Sequence, residues 1–389
     1  MSTLKGRGAM GPSDSPEYRL FVSSSRAFLD KEASLTRVRQ LHASRESFHR
    51  GWWQNAAELG WASMLVPEEL GGGNVSGNGV ADLAMIAELA GRTVAPGPLH
   101  PVSTVLAGLV EDENAGTKLV DVIGALVAGE QVASWAVYEP SLGWNPLFPN
   151  TIAKESATGY RITGVKDRVE AGMDCDAYLV TARLDGAVRQ FLVPADTPGV
   201  SAKPQASIDL VKRYAQITFT EVEVGLDSIV GSAEQTPALI ARQALVAQLL
   251  QCAEIVGILD TVVEFTIAWA RDRYSFGRPL ASYQALKHRF ADMKVGLEAC
   301  RATTAAAVDA AGKRPGDAAW AISVAKAYVG ERAPQIMQAC IQLHGGIGVT
   351  WEHDLHLFLR RITLYRSLFG TPDEHSRQVC DLAERLKAA

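Results

Sequence analysis

The side chains best suited to move protons or bind metal are placed irregularly along this chain. His353 and His356 form an HDLH stretch, but it lacks the second-face carboxylate of a zinc-protease helix, and His344 sits in a glycine turn. Cys175, Cys252, Cys300, Cys340 and Cys380 are odd in number and widely separated, with no Cys-x-x-Cys spacing. They point to a reduced compartment and away from a metal site. The glycine-rich stretch VPEELGGGNVSGNG (66–79) has no strand before it at the spacing of a phosphate-binding fingerprint, so it reads as a surface turn. SLFGTPDEH (367–375) is more ambiguous: Gly370 suits a helix end, Thr371-Pro372 an N-cap and first helical position, and Asp373 and Glu374 the first turn that follows. It could be punctuation between helices or part of an active site.

The elements that must position these residues fall into three groups. At 389 residues the chain is too long for one ordinary core, so two or three domains are expected. With 47% hydrophobic and 21% charged residues the composition is that of an ordinary soluble globular protein. The net charge of −5, from 38 basic and 43 acidic residues spread along the chain, argues against nucleic acid or an anionic membrane as the main partner. Residues 1–19 lack the apolar core of a secretory signal and read as a frayed lead-in, so a cytoplasmic location is expected. The apolar run 238–270 carries Arg242, Glu254, Asp260 and Glu264, which suits a buried helix better than a membrane span.

Residues 1–130 read as an α-helical domain. Residues 131–233 read as short strands with β-branched enrichment, and Asp185-Gly186 stands where a hairpin turn belongs. With no long helices between the strands, an antiparallel barrel or sandwich is expected there. From Thr236-Pro237 the pattern is helical to the end. Helices are predicted over 237–273, from 283 onward with Leu286, Phe290, Met293 and Leu297 on one face, over 317–343 with a kink at Pro334, and over 355–368. Residues 234–389 are therefore expected to form a four-helix bundle, giving an α+β multidomain chain.

Three stretches together with this domain order resemble the acyl-CoA dehydrogenase family over nearly the whole chain. They are ELGWASMLVPEELGG (58–72), RDRYSFGRPLASYQALKHRFADM (271–293) and QLHGGIGVTWEHDLHLFLRR (342–361). The resemblance implies an FAD flavoprotein in which a glutamate removes an α-proton from an acyl-CoA and the flavin takes the β-hydrogen as hydride. It also implies that each FAD lies between subunits, with the neighbour contributing contacts that match Arg273, Phe276, Gln284 and Gln342, and Gly345 and Gly346 allowing close backbone approach. Thr371 is a further candidate contact to an FAD phosphate or ribose. Taken alone, Arg273 reads as a solvated cation at a helix end.

The other half of the implied site departs from the pattern. The family's two positions for the catalytic glutamate fall on Phe369 and Ala247, neither of which accepts a proton, and Gln248 replaces an arginine found in some members. The stretch that would face the flavin carries Tyr138, Glu139 and Pro140, then Arg168 and Glu170, and the last two, two apart on a strand, are expected to share a face as an ion pair. Glu254 and Glu170 are weak substitutes for the missing base, and a glutamate buried against a bundle partner is the blander reading of Glu254.

The resemblance thus implies one half of a flavin site kept and the other altered. The leading expectation is a subunit of a heteromeric α2β2 enzyme of the actinobacterial steroid and lipid type. Such a subunit would lack its own glutamate and complete the FAD site of a homologous partner, acting on an acyl-CoA as bulky as a steroid side-chain thioester. The alternatives are a self-sufficient flavoenzyme with a relocated base, and a non-catalytic acyl-CoA-binding scaffold.

Overall fold

A computed structural model describes residues 15–313 and 315–388; the first fourteen residues of the lead-in lie outside them. Local chemistry sets the early helices. Ser15 accepts from the Tyr18 amide at 3.1 Å to start α1 (Pro16–Glu32), and Ser34 accepts from Arg37 at 3.3 Å to start α2 (Leu35–Ser44). After α3 (Arg50–Glu58), Asn78 caps α4 (Gly79–Arg92) through the Ala81 amide at 3.2 Å. Then come α5 (Leu99–Leu109), α6 (Ala115–Lys118) and α7 (Val120–Val127). Nearly every residue of α4 and α5 is buried, so their sequences are apolar all round and not striped.

Eight strands follow: β1 (Ala133–Ala136), β2 (Ile152–Glu155), β3 (Gly159–Glu170), β4 (Ala177–Leu184), β5 (Ala187–Pro194), β6 (Val200–Gln205), β7 (Tyr214–Gly225) and β8 (Ile229–Val230). They form one sheet in the order β6-β7-β3-β2-β4-β5-β8, with β1 beside β4. Asp185 and Gly186 both have positive φ, 50° and 84°, which gives β4 and β5 the expected tight hairpin. The sheet is mixed where the sequence led us to expect antiparallel pairing throughout: β1 and β2 both run parallel to β4. The long crossovers that parallel neighbours need run through β3 for β2 to β4, and through the 15-residue β1–β2 loop as well for β1 to β4.

The C-terminal region contains α8 (Thr236–Asp272), a two-strand hairpin of β9 (Tyr274–Ser275) and β10 (Arg278–Pro279), α9 (Gln284–Lys313), α10 (Pro315–His344), α11 (Leu355–Ser367) and α12 (Pro372–Ala388). The fourth predicted helix is the short α11, and α12 packs beside α10 as a further member of the bundle. α8 is long and apolar enough to cross a membrane, but it is almost wholly buried inside the protein. Where α4 crosses α8 the backbones touch. A Cβ on Gly91 would lie 2.0 Å from the Glu254 carbonyl oxygen, and one on Gly257 would lie 1.9 Å from that of Glu88.

Beside that crossing, three parts of the chain meet on one guanidinium. Arg361 of α11 is fully buried; its Nε donates to Asp209 Oδ2 at 2.5 Å, from the β6–β7 connection, and its Nη1 to Glu254 Oε1, from α8. It also donates to the Val94 and Ala95 carbonyls, at 3.3 and 3.5 Å, between α4 and α5. The other Glu254 oxygen accepts from Tyr365 Oη at 2.8 Å and lies 2.8 Å from His100 Nε2. Burial works to raise the Glu254 pKa, but Arg361 and His100 outweigh it and hold the carboxyl well below the usual range. Glu254 is thus the satisfied buried glutamate of the blander reading, fixed as an acceptor.

Removing one partner of such a network strands buried charge. Arg361→Met is expected to cost about 3–5 kcal/mol, read as a lower urea midpoint. Because the Glu254 pKa is depressed in the folded state, its contribution is full above its unfolded value of about 4.3 and is lost as pH falls. Glu254→Gln should therefore flatten the acid limb of the stability curve relative to the unmodified chain.

Candidate functional site

Of the two positions implied for a base, Phe369 lines a cleft and Ala247 is buried in α8. Gln248, next to the buried Ala247, donates through Nε2 to the Phe369 carbonyl at 3.0 Å. That carbonyl also lies 2.9 Å from His375 Nε2, and the Phe369 amide donates to Tyr138 Oη at 2.5 Å. Burial holds the His375 pKa down to about 4, so the ring is neutral near pH 7 and its N–H donates to the carbonyl. These contacts hold Phe369 at φ 58°, a left-handed conformation unusual for a bulky residue. Thr371 and Glu374 form a reciprocal capping box at α12, the Thr371 amide donating to Glu374 Oε2 at 2.7 Å.

The Phe369 ring packs into a cluster of three other aromatics. Its centroid lies 6.2 Å from Trp135 with near-parallel planes, 5.8 Å from Tyr138 and 5.2 Å from Trp144. What remains open beside them is about 30 Å³, walled by His100, Thr104, Trp135, Arg168, Glu170 and Phe369 among others. That is room for about two water molecules. That is less room than a tricyclic isoalloxazine occupies, and neither Phe369 nor Ala247 has a side chain that accepts a proton. The residues of this chain's own cleft therefore do not fit the flavin ring.

Arg168 and Glu170 do not pair, contrary to the reading from the sequence. A bulge in β3 between Lys166 and Val169 puts Arg168 at φ 50°, which breaks the two-residue alternation and aims the two side chains apart. Arg168 stacks 4.2 Å over Tyr138 and donates to the carbonyls of Glu139 and Leu142 at 3.0 and 2.9 Å. Glu170 accepts from Lys212 at 2.7 Å and so has its own cation. Glu139 is occupied as well: it accepts from Lys166 Nζ, the Asn150 and Thr151 amides and the Thr151 hydroxyl, at 2.7 to 2.9 Å.

The other implied cofactor contacts lie elsewhere. Arg273, Phe276, Gln284, Gln342, Gly345 and Gly346 are all exposed. Phe276 stands at the tip of the β9–β10 hairpin with 96% of its surface accessible. The Arg273 guanidinium lies 5.8 Å from the Trp269 ring, which stacks on His344 at 5.3 Å, so the end of α8 and the Gly345-Gly346 turn are neighbours. Thr371 is not with them. It sits at the far end of α11, whose 13 residues span about 20 Å. Trp135, Trp144 and His375 were not singled out from the sequence. Trp144, a large aromatic set among Gly143, Pro146 and Pro149, carried the only available signal.

Comparison with known proteins agrees with this architecture. Residues 15–114 match the acyl-CoA dehydrogenase N-terminal domain and residues 239–383 the acyl-CoA dehydrogenase C-terminal domain. The acyl-CoA dehydrogenase IpdE2 of Mycobacterium tuberculosis is 31% identical over 366 residues, covering 94% of this chain and 96% of IpdE2. A variant of the Tcur3481–Tcur3483 steroid acyl-CoA dehydrogenase superposes with a TM-score of 0.85 at 26% identity, over 96% of this chain and 99% of that one. A chain of the ChsE4–ChsE5 complex from Mycobacterium tuberculosis does so with 0.83 at 23% identity, over 95% and 97%. With its helical, sheet and helical regions in that order and these matches along its length, the chain belongs to the acyl-CoA dehydrogenase family of FAD-dependent oxidoreductases.

Proposed function

We propose that this chain is the non-catalytic subunit of a heteromeric acyl-CoA dehydrogenase, completing the FAD site of a homologous partner. The observation that carries the reading is Phe369: an apolar ring stands where the resemblance puts the base and packs among Trp135, Tyr138 and Trp144. The opposite surface is still equipped for a neighbour. A planar guanidinium at Arg273 suits a pyrophosphate, exposed Gln284 and Gln342 can donate, and Gly345 has φ 67° and nothing within 4 Å of its Cβ position. The two surfaces lie toward opposite ends of α11. The names of the ChsE4–ChsE5 complex and of Tcur3481–Tcur3483 each join two different chains, which supports a partner of the same family. The description of the latter as a steroid enzyme supports a bulky steroid-type acyl-CoA as substrate of the pair.

In the pair, the partner's glutamate would take the α-proton and the flavin would supply hydride acceptance when bound. This chain's part is to bind and orient: Arg273 neutralises phosphate charge, and the Phe276 hairpin and the Gly345 turn shape the surface around it.

Purified alone, the chain should bind little FAD and show no acyl-CoA dehydrogenation, while co-expression with its partner restores both. Stoichiometric yellow colour and turnover from the isolated chain would refute the reading. Within the assembled pair, Arg273→Ala in this chain should weaken FAD binding about tenfold to a hundredfold, the worth of a charge-assisted hydrogen bond. Phe369→Leu should leave kcat unchanged in a parallel assay.

A further inference from the structure

The turn Gly345–Val349, which carries two of the implied cofactor contacts, has little of its own to hold it. Ile347 and Val349 are exposed, and Gly348 is its one buried residue. Its two shoulders are better held. His344, the last residue of α10, precedes it, and His353, of the HDLH stretch, follows it just before α11. The two imidazoles meet across the turn, with ring centroids 4.7 Å apart and planes at 68°. His344 is buried and stacks on Trp269 of α8, against which the Arg273 guanidinium also lies at 5.8 Å. The ring pair therefore joins the end of α8, the end of α10 and the start of α11.

The hydrogen bonds require these rings in particular forms. His344 Nδ1 lies 2.9 Å from the Cys340 carbonyl, which only accepts, so that nitrogen carries a proton. His353 Nδ1 accepts from the Leu355 amide at 3.2 Å, so that nitrogen is bare and the ring neutral. A proton on His353 would remove this acceptor, set a cation at the start of α11, where the helix dipole is positive, and add charge beside His344. The surroundings offer little to offset it. From α2, Arg39 is itself a cation; it holds Asp354, the adjoining carboxylate, at 2.8 Å, and lies 3.4 Å from His356 Nε2. Glu352 is exposed, and α8 contributes Trp269 and Arg273. Burial lowers the pKa of both histidines; His353 lowers that of His344 further, and Arg39 and His356 that of His353, with the Cys340 carbonyl and Asp354 opposing.

We propose that His344 and His353 are positioning residues: two uncharged rings that clasp the shoulders of the Gly345–Val349 turn, so that the surface this chain offers to its partner's FAD is assembled while both are neutral and released when either takes a proton. The inference rests on the reading that Arg273 and the Gly345 turn serve a neighbour's cofactor, and adds a pH dependence to that service. Its sign follows from the lowered folded-state values. The clasp is full above the ordinary histidine pKa of about 6.5 and is lost as pH falls below it.

The test is amide hydrogen exchange on the full-length isolated chain at about pH 7.5 and about pH 5.5, corrected for intrinsic rates and read on peptides covering residues 345–355. Each ring that must stay neutral in the closed form should cost about tenfold in protection at the lower pH, roughly one unit below its ordinary value. His353→Asn, whose side-chain oxygen accepts from the Leu355 amide at either pH, should lose about tenfold less than the wild type. If that chain does not fold, His344→Phe, which keeps a ring against Trp269 and cannot ionise, replaces it with the same expectation. Wild-type protection that is equal at the two pH values, or a variant whose protection falls as far as the wild type's, overturns the clasp. In the co-purified pair, FAD affinity should drop over the same interval, by about tenfold less with His353→Asn. Exchange that changes while FAD affinity does not overturns the link to the cofactor. Failure of the underlying reading is a different result: stoichiometric FAD binding by the unmodified isolated chain.

Discussion

The buried guanidinium of Arg361 is the constraint on which the rest of the structure depends. Its five donors are spent on Asp209 from the sheet region, Glu254 from α8 and two backbone carbonyls between α4 and α5, so all three regions of the chain are held by one side chain of α11. A buried ion network of this kind is weak evidence for net stability, since desolvation offsets much of its attraction. Its geometric consequence is stronger: any other arrangement of the regions leaves a charge unpaired in the interior. Because α11 runs from Arg361 to Ser367, two residues before Phe369, the same network helps fix where the Phe369 ring falls.

The closure of the cleft follows from that placement. Phe369 meets the sheet at Trp135 and Tyr138, and its backbone is held by Gln248, His375 and Tyr138 in a conformation a phenylalanine would not adopt unaided. The carboxylates near it are all committed to structural partners, Glu254 to Arg361, Glu170 to Lys212 and Glu139 to Lys166. Of these three only Glu170 walls the cleft, and its Oε1 accepts from Lys212. The surface around Arg273 and Phe276 is open at the other end of α11, so it lies apart from the cleft on one scaffold.

The helices and most of the strands were legible in the sequence for specific reasons. Turn chemistry at Asp185-Gly186 and the Thr236-Pro237 start of α8 are local signals and carried through. β6 carries little strand signal because VSAKPQ is polar and contains Pro204, as edge strands tolerate. The Arg168–Glu170 pair was misread because alternation along a strand fails at a bulge, and nothing in GVKDRVEAG marks one. The partners of Glu254, at Arg361 and His100, lie 107 and 154 positions away and could not be found by spacing. The Phe369 substitution was visible, but the aromatic cluster that gives it meaning depends on Trp144, whose loop has no pattern to read.

The central claim is that this chain contributes to a flavin site without holding a flavin ring of its own. The most direct measurement is the FAD content of the co-purified pair, from flavin absorbance after denaturation against subunit quantities from intact mass. The account requires one FAD per pair of unlike chains, all of it released when the partner is removed. Two FAD per pair, or flavin remaining with this chain after separation, would contradict it.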